Sequence, residues 1–390
     1  MTALIDSQVS AATSASPYVG RRYLKLVVVL GALSAIGPLT IDAYLPALPE
    51  LRTQLGASET SAQATITALL VGLGLGQLII GPLSDAVGRR RPLLLGLVAH
   101  AAMSVLCALA PSIPVLIATR ARQGMAGAAV AVVAMAMVRD LFSGVQAARL
   151  LSRILLVIGV APILAPSLGS ALLALTSWRG IFVALAAAAA ALLVLAVVAL
   201  PETLPPSRRQ PATVRASLRS YGRLFADRTF VVLAVVAGLL FGTLFAYIAG
   251  SAFVLQGGFG LSPQQFGVAF AVNAFGLILM TQLNPLLLRR YTPMAILTTA
   301  VTVTFAASLA LLTVAVTGFG GLLGFSVPLW VVVAAIGLSF PNAPAIALNR
   351  HGDSAGAASA LLGGTQAVAG GAVAPLVGVL GSGAAAMAVV

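Results

Sequence analysis

The chain has 390 residues, 60% of them hydrophobic and 8% charged, with a mean hydropathy of +1.06. A soluble domain carries about 25% charged residues, so this composition excludes one and predicts an integral membrane protein. The formal net charge of +13 does not point to nucleic acid, because the basic residues stand singly or in small groups between apolar runs, where they set topology.

Residues 1–20 are polar and lack an apolar core, and the run that follows, about 24–48, is too long for a signal peptide. Further runs fall near 61–83, 92–110, 113–138, 148–174 and 178–200. After a polar stretch come runs near 229–255, 264–288, 292–316, 324–349 and 355–379. Each is about long enough to cross a bilayer. Beyond Gly383 too few residues remain to cross, so eleven complete spans and the start of a twelfth are expected.

With the N-terminus inside, Arg and Lys divide 18 inside against 2 outside (Arg52 and Arg179), with Arg120 and Arg122 within a span. The positive-inside rule rejects the reverse orientation. The predicted organisation is an N-terminal tail (1–22), a six-helix bundle (23–203), a cytoplasmic linker (204–228) and a second bundle (229–390). The polar stretch around that linker is marked by four prolines and six arginines.

Of nine acidic residues only Asp42 falls within a span, on a stripe with Ser34 and Pro38 at four-residue spacing. A carboxylate there costs roughly 2.5–3.5 kcal/mol, so it implies a cavity or a partner; an interfacial aspartate near the outer helix end is the plainer alternative. Tyr44 follows on the same segment. The turn after the second span, Gly81-Pro82-Leu83-Ser84-Asp85-Ala86-Val87-Gly88-Arg89-Arg90-Arg91-Pro92, is the densest motif in the chain. Gly81-Pro82 is expected to end the incoming helix, Gly88 to reverse the chain and Pro92 to suit the next helix's first turn. Asp85 and Arg89, four apart, can pair.

In the fourth span Arg120, Gln123, Gly124 and Gly127 share a face, and the two glycines admit a close neighbour. Arg122 points nearly the opposite way, which leaves open which arginine faces a cavity. Asp140 lies at that span's inner end. In the fifth span Pro162 and Pro166 remove ladder donors beside Gly159 and Gly169. Trp178-Arg179 reads as an interfacial anchor. In the second half Tyr247, Asn273 and Asn342 are polar residues able to line a cavity, and Asn284-Pro285-Leu286 with Arg289-Arg290 weakly repeats the first turn motif. His100 and His351 have no metal-ligand spacing, no phosphate loop of the Walker type is present, and the lone Cys107 forms no internal disulfide, so no cofactor is expected.

The Gly81–Pro92 turn resembles the loop between helices two and three of the major facilitator superfamily, at Gly81, Leu83, Asp85, Gly88, Arg89 and Arg90. Leu116 through Gly124 resembles that superfamily's fourth-helix pattern. Ala165-Pro166-Ser167-Leu168-Gly169-Ser170 is a loose version of its antiporter-helix motif, and a kinked helix without antiport stays the alternative. With Asp42-Ala43-Tyr44-Leu45-Pro46 and Val138-Arg139-Asp140-Leu141-Phe142, the chain is similar to the bicyclomycin- and chloramphenicol-resistance (Bcr/CflA) drug–proton antiporters. The resemblance implies an all-α fold of two pseudo-symmetric six-helix bundles and a monomer in the bacterial inner membrane, not an enzyme. It would export small hydrophobic antibiotics against protons. It further implies Asp42 as coupling group tuned by Arg120, a cavity including Ser34, Pro38, Tyr44, Gln123, Tyr247, Asn273 and Asn342, and a cytoplasmic gate of Gly81, Asp85, Gly88, Arg89, Arg90 and Asp140. A metabolite exporter is the second expectation, and a channel or sensor the third.

Overall fold

A computed structural model describes residues 21–142, 144–209, 222–349, 355–381 and 383–390. The helices are α1 Arg21–Asp42, α2 Leu48–Gln54, α3 Glu59–Val87, α4 Arg90–Ala108, α5 Ile113–Leu141, α6 Gly144–Leu173 and α7 Trp178–Ala199. In the second half come α8 Arg228–Ala252, α9 Pro263–Leu287, α10 Pro293–Thr317, α11 Gly321–Asn349, α12 Ala355–Val379 and the short α13 Ala384–Val389. Ten helical segments are long and apolar enough to cross a membrane among the described residues; α6 contributes a shorter apolar stretch, Val157–Leu173.

Helix starts follow local chemistry. Ser58 and Thr292 accept backbone N–H bonds from the first turns of α3 and α10, and Ser262 with Gln265 forms a reciprocal capping box on α9. One expectation is corrected: Gly81-Pro82 does not end α3, which runs on to Val87 with Pro82 inside it. The reversal belongs to Gly88 alone, at φ +100°.

In the first bundle α3 packs on α5, α4 on α5 and α7, and α1 on α6. The second bundle repeats the plan, with α9 on α11, α10 on α11 and α8 on α12. Side chains on Gly72 or Gly124 would collide with the carbonyls of Ala121 and Leu69, so these glycines are what lets α3 and α5 touch backbone to backbone. Between bundles, α3 meets α12 and α6 meets α9, a pair of contacts that exchange under the pseudo-twofold.

The molecule has a basic end, carrying the Gly81–Pro92 turn and Arg208-Arg209, and a far end. Contacts across the bundles gather toward the far end. There Gln63 Nε2 donates to the Ala249 carbonyl (3.4 Å), Gln256 Nε2 to the Pro46 carbonyl (3.1 Å) and the Ser170 hydroxyl to the Pro263 carbonyl (2.7 Å). Gln256 lies in a π-helical turn, Phe253–Gly258, that extends α8. Gly378 of α12 sits directly on Thr60 and Gln63.

Candidate functional site

The site begins where α1 stops. After Asp42 the chain leaves the helix, makes a 3₁₀ turn at Leu45–Ala47 and resumes as α2, so the predicted single run 24–48 is broken. Carbonyls in a helix's last turn lose their ladder donors. That of Thr40 is taken instead by Arg120 Nη1 (3.1 Å), which also bonds Gln123 Oε1 (2.7 Å). The Arg120 guanidinium is wholly buried and lies 4.2 Å from the Tyr44 ring centroid and 5.5 Å from that of Phe182. The network continues through Gln123 Nε2 to Ser104 Oγ (2.8 Å), while Thr40 Oγ1 meets His100 Nε2 (3.2 Å). Arg120 therefore holds the broken end of α1 by its backbone, and no ion pair joins it to Asp42 among the described residues. Arg122 is exposed and donates to its own helix at Ala118 (3.3 Å), so it is Arg120 that turns inward.

Asp42 itself is 4% exposed, and its Oδ1 has no hydrogen-bond partner. It faces the second bundle, within electrostatic range of Tyr247, whose hydroxyl lies beside the Asn273 carboxamide without closing a hydrogen bond to it. Tyr247 stacks on Phe270, centroids 5.2 Å apart. One residue on from Asp42, the Ala43 carbonyl rests against Gly169 of α6, where no side chain would fit. Gly159 faces Ile278 of α9 at ordinary contact distance, and Pro162 and Pro166 lie inside an unbroken α6. Ser34 and Pro38 are half-buried along α1.

Three residues expected at a cavity are placed elsewhere. Tyr44 is buried in the first bundle and bonds Thr65 (3.0 Å), and Gln123 belongs to the arginine network. Asn342 is buried between α11 and α9, donating to Asn284 Oδ1 (2.6 Å). Their polarity was legible, but not which way they face. Trp178, expected as an interfacial anchor, is fully buried, with Nε1 donating to Gln54 (2.9 Å).

At the basic end Arg89 is the hub. It pairs with Asp85 (2.6 Å) and Asp140 (2.9 Å) and donates to Ser84 Oγ (2.7 Å), while Thr203 Oγ1 donates to Asp140 (3.1 Å). Burial works to lower the Arg89 pKa, but the two carboxylates outweigh it and hold the group above its ordinary value. Gly81 stands in open space. Asp85 is also expected, from the sequence, to approach the start of the eleventh span at 352–354, which lies outside the described residues.

Glu202, Ser84 and Thr203 were missed by the sequence reading. Glu202 Oε1 accepts the backbone N–H of Arg89 (2.8 Å) and Leu204 (3.0 Å), and its Oε2 that of Arg90 (3.2 Å), capping the positive end of α4. Partial burial would raise its pKa, yet these amide bonds prevail and hold it below the usual carboxylate value. Arg90 in return donates to the Val197 (2.9 Å) and Leu200 (3.1 Å) carbonyls that end α7. At the far end Arg179, near the start of α7, donates to the Ala108 (2.8 Å) and Ala110 (2.9 Å) carbonyls that end α4. The two antiparallel helices thus cap each other.

Residues 30–375 match the model of the Major Facilitator Superfamily. The chain belongs to this superfamily. It is 37% identical over 366 residues to an uncharacterized MFS-type transporter, YdgK, of Bacillus subtilis (strain 168), covering 92% of this chain and 90% of that one. It is 31% identical over 348 residues to a bicyclomycin resistance protein homolog of Haemophilus influenzae, covering 86% and 84%. Among solved structures it superposes on a bacterial homolog of the human lysosomal transporter Spinster, in an inward-facing and occupied conformation, with a TM-score of 0.75 at 17% identity (94% and 83% covered). A D-xylose–proton symporter gives 0.71 at 16% identity (92% and 90% covered). At those identities the structural likeness speaks to fold. The chain is a multi-pass membrane transporter of the major facilitator fold.

Proposed function

We propose that this transporter exports small hydrophobic antibiotics, of the chloramphenicol or bicyclomycin type, in exchange for protons across the bacterial inner membrane. In this reading the basic end, and with it the N-terminus, faces the cytoplasm, in keeping with the arginine distribution. The far-end seal then makes the described state inward-facing. The observation that carries the proposal is Asp42, a buried carboxylate at the junction of the bundles with an unpartnered oxygen and no ion pair among the described residues. A buried unpaired charge is costly, so its ionised and neutral forms require different surroundings. Opening first to one side and then to the other lets it exchange a proton for a ligand. The names of relatives, among them a chloramphenicol resistance protein of Pseudomonas aeruginosa, support the substrate type.

With Asp42 as the only carboxylate placed there among the described residues, one proton moves per cycle. Exchange for a neutral drug then carries net charge and responds to membrane potential by about 2.3 kcal/mol per 100 mV. Exchange for a monovalent cation responds to the pH gradient alone. In proteoliposomes with gradient and potential clamped separately, Asp42→Asn is expected to abolish uphill movement of both. A variant that still concentrates chloramphenicol against its gradient overturns the proposal.

A further inference from the structure

In the first bundle Arg120, Gln123, Ser104, Thr40 and His100 answer one another through hydrogen bonds, though Arg120 Nε and Nη2 and His100 Nδ1 stay without a partner. The three that stand together across the bundle junction do not. Asp42 Oδ1, the Tyr247 hydroxyl and Asn273 Oδ1 are each buried without a partner, on residues 4% exposed. They come from α1, α8 and α9, so neither bundle alone assembles the cluster. The Asn273 amide nitrogen is already committed to the Ala269 carbonyl (2.9 Å), which leaves its oxygen free to accept. The Tyr247 ring, stacked on Phe270, and Phe266 beyond it at 5.8 Å from Phe270 supply an aromatic wall beside these oxygens.

Resting on the transport reading above, we propose that Tyr247 and Asn273 read the substrate. The site selects molecules that carry N–H or O–H donors on an aromatic or apolar body, neutral or cationic, and rejects organic anions. The chemistry follows from the inventory of open atoms. An ionised Asp42 and the Asn273 oxygen can only accept, and the tyrosine hydroxyl can do either. A ligand without donors leaves the Asp42 oxygen bare and the tyrosine and asparagine oxygens with only each other to turn to, whereas a ligand with two donors satisfies at least two acceptors. A carboxylate ligand would set its charge against Asp42, which has no ion-pair partner among the described residues to offset it. Protonation of Asp42 turns one of these acceptors into a donor. Proton and substrate donor thereby compete for the same set of oxygens.

The test is equilibrium binding to the purified full chain in detergent, which needs no gradient and is thus independent of the coupling experiment. Ethidium, a cation with two arylamines, is followed by its fluorescence. Chloramphenicol, tetraphenylphosphonium (a cation without donors) and 2-naphthoate serve as competitors. Wild type is expected to bind ethidium and chloramphenicol, tetraphenylphosphonium at least tenfold more weakly, and naphthoate not at all. Tyr247→Phe and Asn273→Ala should each weaken the donor-bearing ligands about tenfold, the worth of one hydrogen bond, and leave tetraphenylphosphonium unchanged. That unchanged binding also reports that the variants are folded. Equal affinity of wild type for ethidium and tetraphenylphosphonium, parallel losses of both in the variants, or no binding of the donor-bearing probes overturns the inference. Failure of Asp42→Asn to uncouple transport overturns the antiport reading instead.

Discussion

Among the single residues of the basic end Glu202 was the least visible in advance. It lies in a Pro-Glu-Thr segment that reads as an ordinary helix exit, and its role depends on a backbone more than a hundred residues away. Because its carboxyl is held below the ordinary 4.5, its stabilisation is complete above that value and is lost as pH falls through the lower, folded one. Thermal unfolding of wild type in detergent should therefore show an added destabilisation below about pH 4.5 that Glu202→Gln lacks; matching pH profiles for the two would refute this. Asp42, Arg89 and Asp140 were legible because charge is rare in this chain and each stands out by position. Tyr44, Gln123 and Asn342 were legible as polar and no further, since facing is decided by how a bundle closes.

At the scale of elements, hydropathy reads spans well because it measures what the bilayer selects. It does not see a helix that stops inside an apolar run, as α1 does at Asp42, because the residues beyond the break are as apolar as those before it. Nor does proline alone mark an end: Pro82 removes one donor near the end of α3, and the helix continues for five more residues. The mutual capping of α4 and α7 was equally hidden, as it joins arginines to carbonyls that only tertiary packing brings near. Each arginine gives two bonds to orphan carbonyls, and charge-assisted bonds contribute about 1.5–3 kcal/mol. Arg90→Ala and Arg179→Ala should each lower unfolding stability by about that amount. The two sites lie at opposite ends of helices roughly 28 and roughly 33 Å long, so their effects should add within about 0.5 kcal/mol. Unfolding curves of the single and double variants check both statements; strong non-additivity would mean the ends are coupled.

For the whole molecule the informative asymmetry is between a far end where side chains bond across the bundles and a basic end where the bonds of Arg89, Arg90 and Glu202 stay within the first bundle. Gly378 presses α12 onto Thr60 and Gln63, a position with no room for a side chain. Gly378→Leu should loosen the seal without touching Asp42. A cysteine replacing the fully buried Ser251 then becomes reactive to a membrane-impermeant maleimide applied from the far side. The native Cys107 is itself buried and adds little background. No gain in labelling over the Ser251→Cys parent would show that the seal does not depend on this contact. The two-bundle plan was evident from the repeated turn motif and the arginine-rich stretch between halves. The state of the molecule was not, because both states draw on the same sequence.

One consequence follows from the break in α1. The carbonyl of Ala43, which rests on Gly169, and that of Pro46, which Gln256 holds, lie one and four residues beyond Asp42. On the proposed function, ligand site and seal therefore share a single short stretch of backbone, with no relay between them to be cut. In the proposed antiport this arrangement would resist slippage, since a proton leaving Asp42 toward the far side would have to displace the peptides that keep that side shut.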